Sequence, residues 1–548
     1  MKPSTERASP SSSELFELDC LIDLLDRLYP RFIGQIDRDP HSPTFGSGDR
    51  SFWMYRLHDF ESGVVQQSGL TLALLRDLAR QGHLAGCRNL DANHSDYWEA
   101  LAQAANLRTA GLLAASGFLD EYFPGERSFP GTVFAAYATL KSAQLLRQAP
   151  VIEHPGLLKT AERLLFRPPS AAANQDVAAA AFLALYAKLR DWRAGDVSAT
   201  VKTLLPGADG SGRFLEYGGG DLGYASVSLN YLAFMADDGS HAVAEPLTDL
   251  AHFVSDFISP GGQLGGEFAS RSTAYFLPFG ALAAARHDLN LASKFARLDV
   301  GAAFEKLDDR YLMHYCLASL ARAAVSLAGE GVPPVADIEE PTTWRVADHR
   351  NRGLLACHGP DAALFIGLGK GGSLQAEWGG NTEIDCGYRV TRASKTFASC
   401  IVGDDPDIVV EATEADVRVR ISAPFGRHRT LIASRLKTIV LRLFGMFGPA
   451  LNAYFKRRLV TTAEWLPSVT LLRRLHLDFA AGTLTIEDEL TGLRPDDRVA
   501  FAPAASPRLV PSARFHQAGE AEAFNRMSRN LPAACSTRTL QLGSSSSA

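Results

Sequence analysis

The chain has 548 residues, 46% apolar and 21% charged, with a net charge of −6. That length exceeds what one hydrophobic core normally supports, so two or more domains are expected. The acidic balance argues against a general nucleic-acid binder, whose affinity comes from neutralising phosphates with Lys and Arg. Seven scattered cysteines form no CxxC pair and no metal-ligand spacing, which fits a reducing compartment.

The first residues, 1–13, are polar and Ser-rich and lack the apolar core of a secretory signal; they read as a disordered N-terminus. From Glu14 to about residue 330 apolar residues recur at three and four spacings. The clearest runs are Leu15–Leu28, Thr132–Leu146, Asp176–Trp192, Tyr224–Phe234, Leu247–Ile258, Thr273–Ala285 and Tyr311–Leu327. Loops rich in Gly, Pro and aromatics separate them. The alternation predicts helical hairpins stacked side by side with their polar loops gathered at one end. No short repeat marks a solenoid. The expected architecture is a closed or horseshoe ring, an α/α toroid (incomplete barrel), over 14–330.

Within it, Asp209–Phe234 sets six glycines around Glu216, Tyr217, Asp221 and Tyr224. Glycines let a backbone take positive φ and approach a ligand closely. Acids and phenols among them suggest a site; a tight turn capping the following helix is the plainer reading.

A Pro- and acid-rich linker follows over 331–345. Over 346–528 short alternating runs and regular turn residues predict an antiparallel β-sandwich. Residues 417–463 interrupt that pattern. They hold ten Arg and Lys and no acid, with Ile432, Leu436, Ile439, Val440, Leu443, Phe444 and Phe447 on one helical face. A basic amphipathic insertion predicts contact with an anionic membrane surface, or cations directed at a polyanionic substrate. The tail, 529–548, reads as disordered. No apolar run reaches the 18 residues of a membrane span.

The segments ERSFPGTVFAAYA (126–138), ANQDVAAAAFLALYA (173–187), EYGGGDLGYASVSLNYLA (216–233), GGEFASRSTAYFLPFG (265–280) and LDDRYLMHYCLASL (307–320) resemble the heparinase II/III-type polysaccharide lyases, in particular intracellular relatives tied to surface-polysaccharide synthesis. The resemblance covers most of residues 10–500. It implies β-elimination on a uronic-acid glycan, an acidic polysaccharide or oligosaccharide partner, no cofactor and a cytoplasmic location, with peripheral contact at the inner membrane face. That chemistry needs the C6 carboxylate neutralised, a base for the C5 proton and an acid for O4.

By that resemblance Tyr224 is the acid/base, and Asn174 and Gln175 meet the carboxylate. Asn174 before Asp176 also reads as a helix N-cap. Arg271 is expected to bind the carboxylate or to pair with Glu216 or Glu267. Glu216 and Asp221 orient Tyr224 or bind hydroxyls. Tyr217 and Tyr275 stack on a sugar or pack. Gln175 stands where many relatives carry His, and His58, His94, His358 and His428 lie in no motif. No metal site is expected, since HDFE (58–61) and NHSD (93–96) lack ligand spacing. Two other readings stay open: a toroid hydrolase using paired carboxylates from Glu216, Asp221 or Glu267, and a non-catalytic glycan-binding or scaffold protein.

Overall fold

The computed structural model describes residues 14–205, 213–305, 307–335, 342–403, 407–428, 463–502 and 535–542, with Ser434, Leu436, Ile439 and Leu443. The helical part is a double ring. Its outer helices are α1 (Leu18–Ile33), α3 (Ser95–Leu113), α5 (Pro155–Leu164), α7 (Ala194–Leu204), α9 (Ala244–Ser255) and α11 (Leu289–Phe295). Its inner helices alternate with them in the chain: α2 (Ser68–Arg80), α4 (Phe129–Leu145), α6 (Ala173–Arg190), α8 (Leu222–Asp237), α10 (Pro278–Ala285) and α12 (Leu317–Glu330). The inner helices pack in the order α2, α4, α6, α8, α10, α12, and α12 returns to α2.

Burial explains which helix goes where. In α6 every residue from Val177 to Leu183 is buried, four of them alanines in a row. Small side chains on all faces let a helix sit inside a ring with neighbours on each side. In α7, by contrast, only Val197, Thr200 and Leu204 are buried, a single stripe fit for an outer position. The stretch Asp309–Glu330 is long and apolar enough to cross a membrane, but it is mostly buried within the ring.

After the ring come two antiparallel sheets. The first has β1 (Arg345–His349), β2 (Leu354–Gly359), β3 (Ala362–Gly367), β4 (Ser373–Trp378) and β5 (Asn381–Asp385), paired in sequence order. The second has β6 (Tyr388–Arg392), β7 (Lys395–Ala398), β8 (Asp407–Ala412), β9 (Asp416–His428), β10 (Ala463–Asp478), β11 (Thr483–Thr491), β12 (Arg498–Phe501) and β13 (Cys535–Gln541). Leu355, Cys357, Leu364 and Ile366 of the small sheet share a core with Val419, Ile421, Leu475 and Ile486 of the large one. Their neighbours Leu354, Ala356, Ala363 and Phe365 belong instead to the core of the helical ring. The small sheet is thus covered on both faces, which is why β3 is buried along its whole length while β11 alternates.

Two expectations about the second half are corrected. Residues 417–428 are not part of an amphipathic insertion; they form β9, paired with β10 from Val417↔Leu477 to His428↔Ala463. Val417, Val419 and Ile421 are buried at every second position, so β-periodicity wins there. The remainder of the predicted insertion lies outside the described residues, apart from Ser434 and the exposed helical residues Leu436, Ile439 and Leu443. The tail is not disordered throughout: Cys535–Gln541 adds β13 to the edge of β11. The rest of 529–548, apart from Leu542, and the N-terminal stretch 1–13 lie outside the described residues.

Candidate functional site

The inner helices run parallel, so their N-termini and the loops before them meet at one mouth of the ring. Hydrogen bonds and ring contacts tie those loops together in a circle. Ser62 Oγ, before α2, donates to Glu121 O, before α4, at 3.1 Å. The Arg167 guanidinium, before α6, lies 3.9 Å from the centre of the Phe129 ring at the start of α4. Tyr217 N, before α8, donates to Ala171 O at 2.8 Å, and Ser270 N, before α10, to Gly220 O at 2.9 Å. The Tyr275 and Tyr315 hydroxyls, before α10 and α12, are 3.3 Å apart. Arg310 Nη2 closes the circle on Glu121 Oε1 at 2.8 Å.

The glycine-rich segment serves this packing. Gly218 takes φ +94 in the turn Glu216–Gly219, and a Cβ on Gly223 would meet Thr273 Oγ1 at 2.3 Å. The described glycines of this segment therefore face other loops of the protein. Gly210 and Gly212 lie outside the described residues.

Five of the sequence-predicted residues, Asn174, Glu216, Tyr217, Tyr224 and Arg271, come together here. Asn174 is the second residue of α6 and is buried, so it is not the N-cap; that position is Ala172. The cap is supplied from another loop. Glu216 Oε1 accepts from Asn174 N at 3.0 Å and from Asn174 Nδ2 at 2.6 Å. Glu216 Oε2 is buried and has no hydrogen-bond partner among the described residues. Burial raises the Glu216 pKa to about 8, against the pull of the two Asn174 bonds and of Arg271. Gln175, one residue on, is half-buried.

Arg271 stands over this pair. Its guanidinium sits 4.7 Å from the centre of the Tyr217 ring, which is 37% exposed. The expected ion pair with Glu216 or Glu267 is absent: among the described residues Arg271 has no carboxylate within salt-bridge distance, and its Nε is buried without a partner. Burial works against the cation, but Tyr224, Tyr217, Asp221 and Glu216 together outweigh it and raise its pKa. Tyr224, the third residue of α8, is half-buried and meets Tyr275 edge-on at 5.9 Å.

Three predicted residues have other duties. Asp221 is the N-cap of α8. Its carboxylate accepts from Tyr224 N at 3.1 Å and Arg271 N at 2.9 Å, and from the Thr273 hydroxyl. It is fully buried, so it fixes the backbone under Tyr224 and Arg271 and offers nothing to a sugar. Tyr275 is also buried; it packs between Tyr224 and Tyr311 and presents no face for stacking. Glu267 is buried where the ring meets the small sheet, beside Cys386 and Cys400.

The sandwich holds this loop in place. Lys370, between β3 and β4, is buried and its ammonium donates to Glu267 O at 2.7 Å, Ala269 O at 2.8 Å and Ser272 Oγ at 2.7 Å. Gly220 N donates to Arg352 O at 2.7 Å. Both anchors were missing from the sequence reading, because a lone Lys and a lone Arg carry no local signal.

His314 was missed as well. It lies in a π-turn, Leu312–Cys316, and breaks the helix with ψ −148. Its ring contacts Tyr311 at 5.3 Å and Tyr315 at 5.6 Å, and its buried Nε2 has no partner among the described residues. Burial, aided by Arg310, drives its pKa well down, so the imidazole is neutral. The signal was present in RYLMHY, where two tyrosines and a histidine share six residues. π-Turns inside helices recur at functional sites.

No protein-family model matches the chain, and no curated protein matches it. Among solved structures it is similar to the chondroitin AC lyase of Streptomyces coelicolor A3 in complex with chondroitin sulphate. The two share 10% identity at a TM-score of 0.48, over 91% of this chain and 69% of that one.

Proposed function

We propose that this protein is a polysaccharide lyase-like enzyme of the heparinase II/III type, cleaving a uronic-acid glycan by β-elimination in surface-polysaccharide metabolism. The observation that carries the reading is Arg271, a guanidinium with no ion pair among the described residues, placed over the exposed Tyr217 ring beside Tyr224. A carboxylate is the natural partner for such a fork. Pairing with Arg271 draws charge from the C6 carboxylate and acidifies C5–H. Burial raises the Glu216 pKa to about 8, so this carboxyl beneath the site does not repel the anion at neutral pH. Tyr224, as the phenolate, accepts the C5 proton as the C4–C5 double bond forms and the C4–O4 bond breaks, and the phenol so formed returns that proton to O4. The Arg271 cation stabilises the phenolate that precedes that transfer. Asn174 keeps Glu216 in place, and Gln175 lies beside them.

The hydrolase reading needs two available carboxylates. It is weakened because Asp221 is committed to capping. Incubation with a panel of uronic-acid polysaccharides separates the readings. An ultraviolet-absorbing unsaturated product supports the lyase, reducing ends without it the hydrolase, and binding without turnover the scaffold. Tyr224→Phe is expected to slow elimination by about 10²–10⁴-fold while substrate still binds.

The proposal includes a cytoplasmic location and an anionic membrane surface as second partner. Leu436, Ile439 and Leu443 are exposed at helical spacing in a stretch whose charges are all positive. Co-sedimentation with anionic vesicles but not neutral ones is the expected result.

A further inference from the structure

The Arg271 group occupies one half of the ring mouth, at the loops before α6, α8 and α10. The other half, at the loops before α2, α4 and α12, encloses a cavity of ≈ 290 Å³. Asp49, Arg50, His58, Glu121, Tyr122 and Arg310 are among its walls. That volume is at the small end of ligand pockets, which run from about 300 to 1,000 Å³, and suits one or two sugar rings.

Its acids are already committed. Asp49 accepts from Phe52 N at 3.2 Å, Ser62 N at 2.9 Å and His58 Nδ1 at 3.3 Å. Glu121 accepts from Arg310 at 2.8 Å and Ser128 Oγ at 2.7 Å. Asp309, also in the wall, accepts from Arg31 at 2.9 Å and Gln35 at 3.2 Å. Arg50 is different. Its Nε contacts Met54 Sδ at 3.2 Å, and among the described residues it has no acid partner.

The arrangement around it repeats that of Arg271. Arg50 lies 5.2 Å from the centre of the Tyr55 ring, and Arg310 lies 5.7 Å from that of Tyr122. Those rings are 55% and 59% exposed. Each half of the mouth therefore offers an exposed aromatic face backed by a guanidinium, one surface for the apolar side of a sugar and one charge for its acid group. The two halves are joined through the interior: the buried rings of Tyr311, His314 and Tyr315 follow Arg310 and pack against Tyr275, which meets Tyr224.

We propose that this cavity is a second sugar subsite of the same cleft. It takes an anionic sugar unit of the chain bound at Arg271, with the acid group against Arg50 and the ring on Tyr122. The proposal rests on the reading of Arg271 as a glycan site. The test is calorimetric binding of di-, tetra- and hexasaccharides of chondroitin sulphate, hyaluronan, alginate and polygalacturonate to the full chain. Affinity should rise with length for at least one series. Arg50→Ala and Tyr122→Ala should each weaken the hexasaccharide about tenfold, ~1.4 kcal/mol, and leave the disaccharide unchanged. Arg271→Ala should weaken every length. Both substitutions are at the surface, and unchanged thermal midpoints would exclude misfolding. A length-dependent rise that survives in Arg50→Ala and Tyr122→Ala overturns the second subsite and leaves the Arg271 reading standing. Equal loss on the disaccharide overturns it too, by placing both groups in one subsite. No binding by any member of the panel overturns both readings.

Discussion

The molecule handles buried charge in two opposite ways. In the sandwich Arg473 is fully buried and fully paired. Its guanidinium donates to Asp488 at 2.7 and 2.8 Å, to Asp385 at 3.2 Å and to Gly372 O at 2.9 Å. Asp488 also accepts from Tyr388 at 2.9 Å, and Arg538 of β13 joins Asp385. Burial alone would raise the Asp385 pKa, but Arg473 and Arg538 outweigh it and hold it down. At the ring mouth, among the described residues, the Arg271 guanidinium has no carboxylate within salt-bridge distance, and Glu216 Oε2 has no hydrogen-bond partner. Arg473 is satisfied within the chain; under the proposed function the partner of Arg271 is a carboxylate of the substrate.

The comparison breaks first if the sandwich cluster is not structural. Arg473→Met takes the central cation from two buried carboxylates, leaving them Arg538 and Tyr388, and should destabilise the protein by about 3–5 kcal/mol in denaturant titration. Binding of uronic-acid oligosaccharides should survive wherever the protein stays folded. A smaller effect comes from pH. Glu216 titrates near 8 when folded against an ordinary 4.5, so the folded state holds a proton that the unfolded state has lost between those values. Stability from this group is therefore full below about pH 4.5, falls as pH rises, and levels off above about pH 8. Glu216→Gln keeps the acceptor for Asn174 and removes the titration. Its urea midpoint should exceed that of the wild type at pH 8 and match it near pH 4.5. A constant difference across that range would contradict the buried, protonated carboxyl.

The ring was legible because its signals are local. Apolar residues at three and four spacings mark the helices, and the all-round burial of α6 against the single stripe of α7 follows from composition. Val417–Ser422 reads as a strand by alternation and as insertion by charge; its long partner β10, distant in sequence, decides for the strand. The polar, Ser-flanked β13 was invisible because its edge position needs no apolar face. Asn174, Glu216, Tyr224 and Arg271 share one side of the ring mouth because each sits at a loop or helix start. Asp221 and Tyr275 sit in the same loops yet turn inward, and only the packing of neighbouring loops sets that direction. Lys370 acts across about a hundred residues of chain, which no local pattern records.

Arg271→Met tests the central claim most directly, through thermal midpoint and oligosaccharide binding measured on the same sample. The substitution removes a cation that has no ion pair within the described structure and keeps an apolar stem against Tyr217. The predicted result is a midpoint equal to or above that of the wild type, with binding of every uronic-acid oligosaccharide lost. A midpoint that falls as far as that of Arg473→Met, with binding retained, would make Arg271 one more structural cation and contradict the account.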